Sequence, residues 1–335
     1  MHVPDSQDLT VRLQDALQQF LYMCAPSTQE NILCQVTAYA LTTGGKLLRG
    51  RMLLEACHMV GGEIEDALFA AVAVEYLHLG TLIHDDIIDR DEVRRGKPAV
   101  WKHYNSDLAL LSGDFLYFAA FQSLARSLSS ANAALAAHIL DRFSRACMDL
   151  CLGQALEEKL VGNCRARYED YLEVVRGKTA SLFRTALEVG ALLGGETLTR
   201  AETLGECAEH LGIAFQIIDD LLPFTSDHMI TGKPLTSDIK NRRLTAPILS
   251  ALAGADEADR QTLCAIFEEG RFDEHLAEAY ALVREILQRT HALEKTEQEA
   301  TDRYQQAMQV LQTFPDNAGR NQLIALAQQL VRRHK

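Results

Sequence analysis

The sequence predicts an all-α fold, and three observations predict it. Only seven prolines occur and none lies between Pro98 and Pro223. That stretch is rich in Ala, Leu, Glu, Arg and Gln, residues that cost little in a helix. Nothing in it alternates apolar and polar residues with the period of two that a half-buried strand requires.

The elements follow from the punctuation. Breaks fall at Pro26-Ser27-Thr28, Thr43-Gly44-Gly45, Gly61-Gly62, Gly96-Lys97-Pro98, Gly194-Gly195, Thr231-Gly232-Lys233-Pro234, Gly270 and Phe314-Pro315-Asp316. They carve the chain into roughly a dozen helices joined by short loops. Ala67 to Ile83 and Leu211 to Ile218 are apolar nearly all round, as helices surrounded by other helices are. The stretch from Asp273 to Leu311 is amphipathic and heavily charged, which suits an outer cover. No linker-like tract, low-complexity run or fixed-period repeat interrupts the sequence, so residues 1–335 are expected to form a single helical domain around a central cavity.

Charge and cysteine usage exclude several classes. Lys plus Arg total 33 against 46 for Asp plus Glu, a formal net charge of −13. A nucleic-acid binder acting through bulk positive charge is excluded, because phosphate backbones reward the opposite balance. The eight cysteines show no C-x-x-C pair; even Cys147 and Cys151, four apart and on one face of a helix, suit reduced thiols packed in a core. The sequence shows no secretory signal and no uninterrupted apolar run of the ~18 residues that a membrane span needs, so a cytoplasmic location without a stable membrane span is expected.

Two acidic motifs carry the chemistry. Asp85, Asp86 and Asp89 form D-D-x-x-D at the end of the apolar run Val72–Ile83. Positions 85 and 89 share a helix face one turn apart. Two carboxylates so placed repel, and at the end of a buried segment unpaired charge is costly. A divalent cation resolves the conflict, and all-oxygen ligands suit Mg²⁺, which keeps waters and is often shared with substrate phosphates. Asp219-Asp220 echo the first motif after Leu211–Ile218. Basic residues stand beside both motifs despite the acidic total: Lys46, Arg49 and Arg51; Arg94 and Arg95; Lys178; and Lys233, Lys240, Arg242 and Arg243. Together they suit a diphosphate held between cations.

The run Leu82-Ile83-His84-Asp85-Asp86-Ile87-Ile88-Asp89-Arg90-Asp91-Glu92-Val93-Arg94-Arg95-Gly96-Lys97-Pro98 resembles the first aspartate-rich motif of the trans-isoprenyl diphosphate synthases. Gly44-Gly45-Lys46-Leu47-Leu48-Arg49, Gly113-Asp114, Gly153-Gln154, Gly177-Lys178-Thr179-Ala180 and Phe215-Gln216-Ile217-Ile218-Asp219-Asp220 are similar to its other blocks, in family order, from about Leu41 to Pro247. The resemblance implies chain elongation. An allylic diphosphate ionises, the double bond of isopentenyl diphosphate attacks the cation, and a proton is lost, giving a product five carbons longer. It further implies about three Mg²⁺ per active site, two on Asp85 and Asp89 and one on Asp219, neutralising departing pyrophosphate. Arg94, Lys178 and Lys233 would hold the allylic diphosphate, with Arg243 keeping a nearby charge. Lys46, Arg49, His78 and Arg95 would hold isopentenyl diphosphate, and oxygens of Thr179 and Gln216 would face the cation. Family members are usually homodimers.

The chain departs from the family pattern in three places. Leu47 stands where a basic residue is common, Pro223 replaces the last aspartate of the second motif, and Thr236, Arg242 and Arg243 lie near usual glycine and lysine positions. Within a helix Pro223 forfeits a hydrogen bond and clashes, costing ~3 kcal/mol, so the helix is expected to end or bend there. A non-catalytic subunit would be expected to lose the motif residues that this chain keeps, and a terpene cyclase has no use for a second diphosphate site. For product length the prenyl tail is expected to run back along the helix from Asp85. Gly80 would be the first floor, open for want of a side chain, with Tyr76, Leu77 and Phe118 deeper. That implies a product of C30 or beyond, with C20 the shorter alternative.

Overall fold

A computed structural model of the chain describes residues 6–24, 31–43, 45–225, 237–272 and 274–331. These residues are helical apart from turns and one short hairpin. In chain order come α1 (Ser6–Cys24), α2 (Ile32–Thr42), α3 (Leu48–Met59), α4 (Ile64–Ile88), the strands β1 (Val93–Arg94) and β2 (Lys97–Pro98), α5 (Val100–His103) and α6 (Ser106–Ser127). Then follow α7 (Ala133–Leu160), α8 (Tyr168–Val175), a π-helical turn (Arg176–Ala180), α9 (Ser181–Leu193), α10 (Leu198–Thr225) and α11 (Ser237–Lys240). The last helices are α12 (Ala246–Gly254), α13 (Glu257–Phe267), α14 (Leu276–Arg289), α15 (Ala292–Leu311) and α16 (Ala318–Val331).

The chain divides into two compact units, each drawn from interleaved segments. The first comprises Met1–Cys147, Leu182–Gly205 and Val310–Leu326. Its centre is α4, which packs on α6, α3 and α1. Ala70, Ala71, Val72, Ala73, Val74, Tyr76 and Leu77 are all buried, so side chains all around the helix are covered, as its uniform apolarity predicted. Both α4 and α6 are long and apolar enough to cross a membrane by length and composition, although polar residues such as Glu75 and Asp114 interrupt them. In the structure they pack against each other inside this unit.

The second unit comprises Met148–Ser181, Glu206–Gln309 and Ala327–Lys335. Ile213, Ile217, Ile218 and Leu221 of α10 join Ile248 and Leu249 of α12 and Ile286 and Leu287 of α14 in one apolar core. Within this unit α15 buries Ala292, Thr296, Ala300 and Ala307, a single stripe, and turns its charged face outward. The predicted amphipathic cover is therefore present.

Two local features were not legible in the sequence. The pairs Val93↔Pro98 and Arg94↔Lys97 form a minimal antiparallel hairpin. Its turn residues Arg95 (φ 52°) and Gly96 (φ 77°) both take positive φ, the geometry that matches the twist of paired strands. The other is the π-turn at Arg176–Ala180; such turns are rare and cluster at functional positions.

Candidate active site

In the first unit, α4 ends in the acidic motif, and its carboxylates divide by environment. Asp86 is 3% exposed and pairs with Arg94, whose Nε donates to Oδ1 at 2.9 Å. A buried carboxylate of this kind is stable because the guanidinium compensates it. Asp85 and Asp89 are half-buried one turn apart, so the two that sequence reasoning assigned to metal are those that a cation could reach. Arg94 was assigned to the allylic diphosphate; the structure engages its guanidinium with Asp86.

The residues assigned to isopentenyl diphosphate come together around the start of α3. An added Cβ at Gly45 would lie 2.7 Å from Arg95 Nη1, so the bare glycine lets that guanidinium settle on the loop that carries exposed Lys46. Arg49 Nη1 lies 3.2 Å from His78 Nε2, and its guanidinium sits over the Phe183 ring at 4.4 Å. Desolvation, then Arg49, Arg95 and Arg94, hold the His78 imidazole well below its ordinary pKa. It is therefore neutral among three cations, a hydrogen-bonding group rather than a fourth charge.

Sequence reasoning missed the residue that organises this cluster. Leu47, at the N-cap of α3, has φ 46° and makes no side-chain cap bond. Glu75 of α4, 6% exposed, supplies the cap instead: its Oε1 accepts the Gly50 N–H at 2.7 Å. Burial raises its pKa, opposed by that bond and by Arg49 and Arg95. The signal was a lone glutamate inside an otherwise apolar run.

The second unit carries the other half of the assigned residues. Lys178 lies in the π-turn, and its Nζ donates to Glu157 Oε2 at 2.5 Å; Arg243 Nη2 stands 3.7 Å from the same oxygen. Burial would raise the Glu157 carboxyl, but Lys178 and Arg243 outweigh it and hold the pKa below its ordinary value. Two cations assigned to phosphate are thus gathered by one carboxylate that sequence reasoning did not single out. Thr179 Oγ1 donates to Gln216 Oε1 at 2.9 Å, and Gln216 Nε2 donates to Asp220 Oδ1 at 2.9 Å. Asp220 Oδ2 accepts the Ala246 N–H at 3.1 Å. Burial, then Asp238, push the Asp220 pKa up to about 7, opposed by these hydrogen bonds.

Asp219 next to it is exposed. The second motif therefore repeats the first: one carboxylate is locked into the fold and its neighbour is turned outward. Asp85, Asp89 and Asp219 offer only oxygen, accessible and one helical turn or one residue from a buried partner, which fits a hard divalent cation.

Three assignments fall elsewhere. Lys233 lies outside the described residues. Tyr76 is fully buried against α1, its hydroxyl donating to Leu17 O and its ring 6.1 Å from Phe20. Phe118 is 74% exposed on the outside of α6. Tyr76 therefore packs toward α1, and Phe118 faces away from the unit's core. Leu77 is buried, and Gly80 packs against Tyr117 of α6.

Residues 30–283 match the polyprenyl synthetase family, and the chain belongs to it. It is 34% identical over 325 residues to a short chain isoprenyl diphosphate synthase of Methanothermobacter thermautotrophicus, covering 95% of this chain and 97% of that one. It is 32% identical to the octaprenyl diphosphate synthase of Escherichia coli over 304 residues, 91% of each chain. The crystal structure of a polyprenyl synthase from Caulobacter crescentus, complexed with calcium and isoprenyl diphosphate, superposes with a TM-score of 0.86 at 27% identity over 99% of both chains. The protein is accordingly a prenyltransferase that extends prenyl diphosphates. Its relatives differ in product length, so membership alone does not set the length here.

Proposed function

We propose that the protein condenses an allylic diphosphate with isopentenyl diphosphate in the presence of Mg²⁺, releasing pyrophosphate and an all-trans product. The observation that carries this reading is the sorting of both acidic motifs into one locked and one outward carboxylate, each beside its own set of cations. Bound Mg²⁺, about three per active site, would neutralise the charge that develops on the departing pyrophosphate.

Asp85, Asp89 and Asp219 are the ligands in this reading. Lys178 and Arg243 hold the allylic diphosphate, exchanging the Glu157 carboxylate for phosphate oxygens. Lys46, Arg49 and Arg95 hold the second diphosphate, with neutral His78 donating or accepting a single hydrogen bond. The Thr179 hydroxyl and the Gln216 amide oxygen present partial negative charge to the allylic cation, and Asp220 fixes the amide so that its oxygen cannot turn away. The released pyrophosphate accepts the proton, so no side chain is assigned as a base. The protein acts as a homodimer in the cytoplasm in this reading.

The test is incubation of purified protein with isopentenyl diphosphate, an allylic primer and Mg²⁺. Longer prenyl diphosphates plus pyrophosphate are expected, abolished by excess chelator and reduced by orders of magnitude in Asp85→Ala and Asp219→Ala with the helical circular-dichroism signal intact. Full turnover in chelator would overturn the metal assignment, and hydrocarbon in place of prenyl diphosphate would overturn elongation.

A further inference from the structure

Two cysteines far apart in the sequence meet in the second unit, at the edge of its apolar core. Cys164 lies in the loop between α7 and α8, and Cys264 in the last turn of α13. Glu268, the C-cap of α13, follows Cys264 by one turn, and its N–H still donates to the Cys264 carbonyl oxygen at 2.9 Å, so the two side chains share a helix face. Both Sγ atoms and a carboxylate oxygen of Glu268 lie within 4.8 Å of one another. The backbone builds this meeting. Gly162 takes φ 67°, and a Cβ there would stand 2.9 Å from the Phe267 carbonyl oxygen, so the bare glycine lets the loop lie directly on the end of α13. The Gly162 N–H donates to the Arg242 carbonyl oxygen at 2.9 Å, which pins the loop from the other side.

The exposure of the three side chains is graded as an ion entering from solvent requires. Cys164 is buried, Cys264 half-buried and Glu268 exposed. Burial pushes the Cys164 thiol up to about 12, with Cys264 and Glu268 acting in the same direction and Arg260 opposing them. Without a cation the pair is therefore a protonated dithiol beside a carboxylate, and a bound cation would take up the charge of two thiolates. Sulfur selects the ion: two thiolates and one carboxylate suit zinc, whereas Mg²⁺ takes oxygen. Zn–S bonds of about 2.3 Å and a Zn–O bond of about 2.1 Å set tetrahedral neighbours roughly 3.6–3.8 Å apart, within reach of side-chain rotation from these positions. The loaded site would keep one net negative charge, which the Arg260 guanidinium, one turn before Cys264 on the same helix, offsets.

We propose that Cys164, Cys264 and Glu268 bind one zinc ion, with water as the fourth ligand, and that the ion ties the α7–α8 loop to the end of α13. Binding releases the two thiol protons to solvent and changes no oxidation state. The tie reaches the cations described above, because the loop begins one turn after Glu157 and is bonded to Arg242, the neighbour of Arg243.

The test uses the purified full chain, reduced and in Mg²⁺, titrated with Co²⁺ and then with Zn²⁺ against a chromophoric chelator. One equivalent of Co²⁺ should give a thiolate-to-cobalt charge-transfer band and the visible bands of a four-coordinate ion, and Zn²⁺ should displace it. Cys164→Ser and Cys264→Ser should lose the band, and Glu268→Gln should weaken binding at least about tenfold. Cys151→Ser, which removes an exposed thiol on α7, should keep the wild-type spectrum. Zinc should raise the melting temperature of the wild type and of Cys151→Ser but not that of Cys264→Ser. The proposal is overturned if the wild type gives no charge-transfer band, if the band survives the loss of either sulfur, or if it disappears with Cys151. If Cys164→Ser does not fold, judged by circular dichroism, Cys264→Ser decides alone, and a retained band there overturns the proposal equally. A dithiol that takes up no metal and instead closes to a disulfide under hydrogen peroxide would overturn it in favour of a redox pair.

Discussion

Glu75 shows how a single buried side chain sets a binding cluster. The N-terminus of α3 begins at a leucine with left-handed backbone and no capping oxygen, so its first N–H groups lack a local partner. Glu75 reaches from α4 to the Gly50 N–H, and Gly50 has no Cβ because one would lie 2.9 Å from Glu75 Cγ. The same carboxylate stands near Arg49 and Arg95, so removing it loosens the cap and the cations together. Glu75→Ala should cost about 1–2 kcal/mol as a lost cap and raise KM for isopentenyl diphosphate more than for the allylic primer. Glu75→Gln keeps an acceptor oxygen and should recover most of the stability but not the KM. Thermal melting and steady-state kinetics with each substrate varied separately check this; equal KM changes for both substrates would show that Glu75 acts on the fold alone. The aspartates proposed as ligands were legible because acidic residues at helical spacing beside an apolar run need an explanation. Glu75 stood out only as a lone glutamate in an apolar run and Glu157 not at all, since a glutamate's sequence neighbours do not show what it meets across the fold.

Among the elements, the π-turn and α7 explain why two short motifs occur together. A Cβ at Gly153 of α7 would stand 2.5 Å from the Lys178 backbone nitrogen, and one at Gly177 would stand 2.7 Å from the Asp149 carbonyl oxygen. The two backbones touch, which requires glycine on both sides and brings Glu157, one turn further along α7, to Lys178. Gly153→Ala must therefore push the turn away, at an overpacking cost of about 1–3 kcal/mol, and carry Lys178 and Thr179 with it. Its kcat should fall at least tenfold while the helical signal persists. Wild-type kcat with an unchanged melting temperature would mean that the contact is slack and the glycine pair incidental.

Pro223 lies inside α10 and does not end it, since the helix runs on through the proline to Thr225, and the Pro223 carbonyl accepts the Tyr280 hydroxyl at 2.6 Å. Helices and their central or outer placement could be read from period and punctuation, whereas Pro223 was tolerated inside α10. The hairpin at Arg94–Lys97 and the π-turn could not, because both depend on positive φ or on one inserted residue, and neither leaves a periodic trace.

For the whole molecule, the exposed apolar residues of α6 are the outstanding feature. Phe118 is 74% exposed and Leu111 52%, and they lie two turns apart on one face, with Leu110 at 50% beside them. Apolar side chains gathered in this way mark an interaction surface, and a helix face that meets its own copy across a two-fold axis presents the same residues on both sides. Reading Phe118 as an interface residue also accounts for its absence from the space near Gly80, which Tyr117, one residue earlier on α6, fills. The consequence reaches the active site, because Gly113 and Tyr117 stand on the same helix and α6 is what holds His84, and with it Asp85, in place. In the homodimer proposed above, Phe118→Glu would set two carboxylates against each other if this face forms the contact. Light scattering on the eluting peak should then report half the wild-type mass, and turnover should fall along with the melting temperature. A wild-type protein already eluting as a monomer, or a variant that keeps the dimer mass, would show that α6 turns this face to solvent or to a different partner.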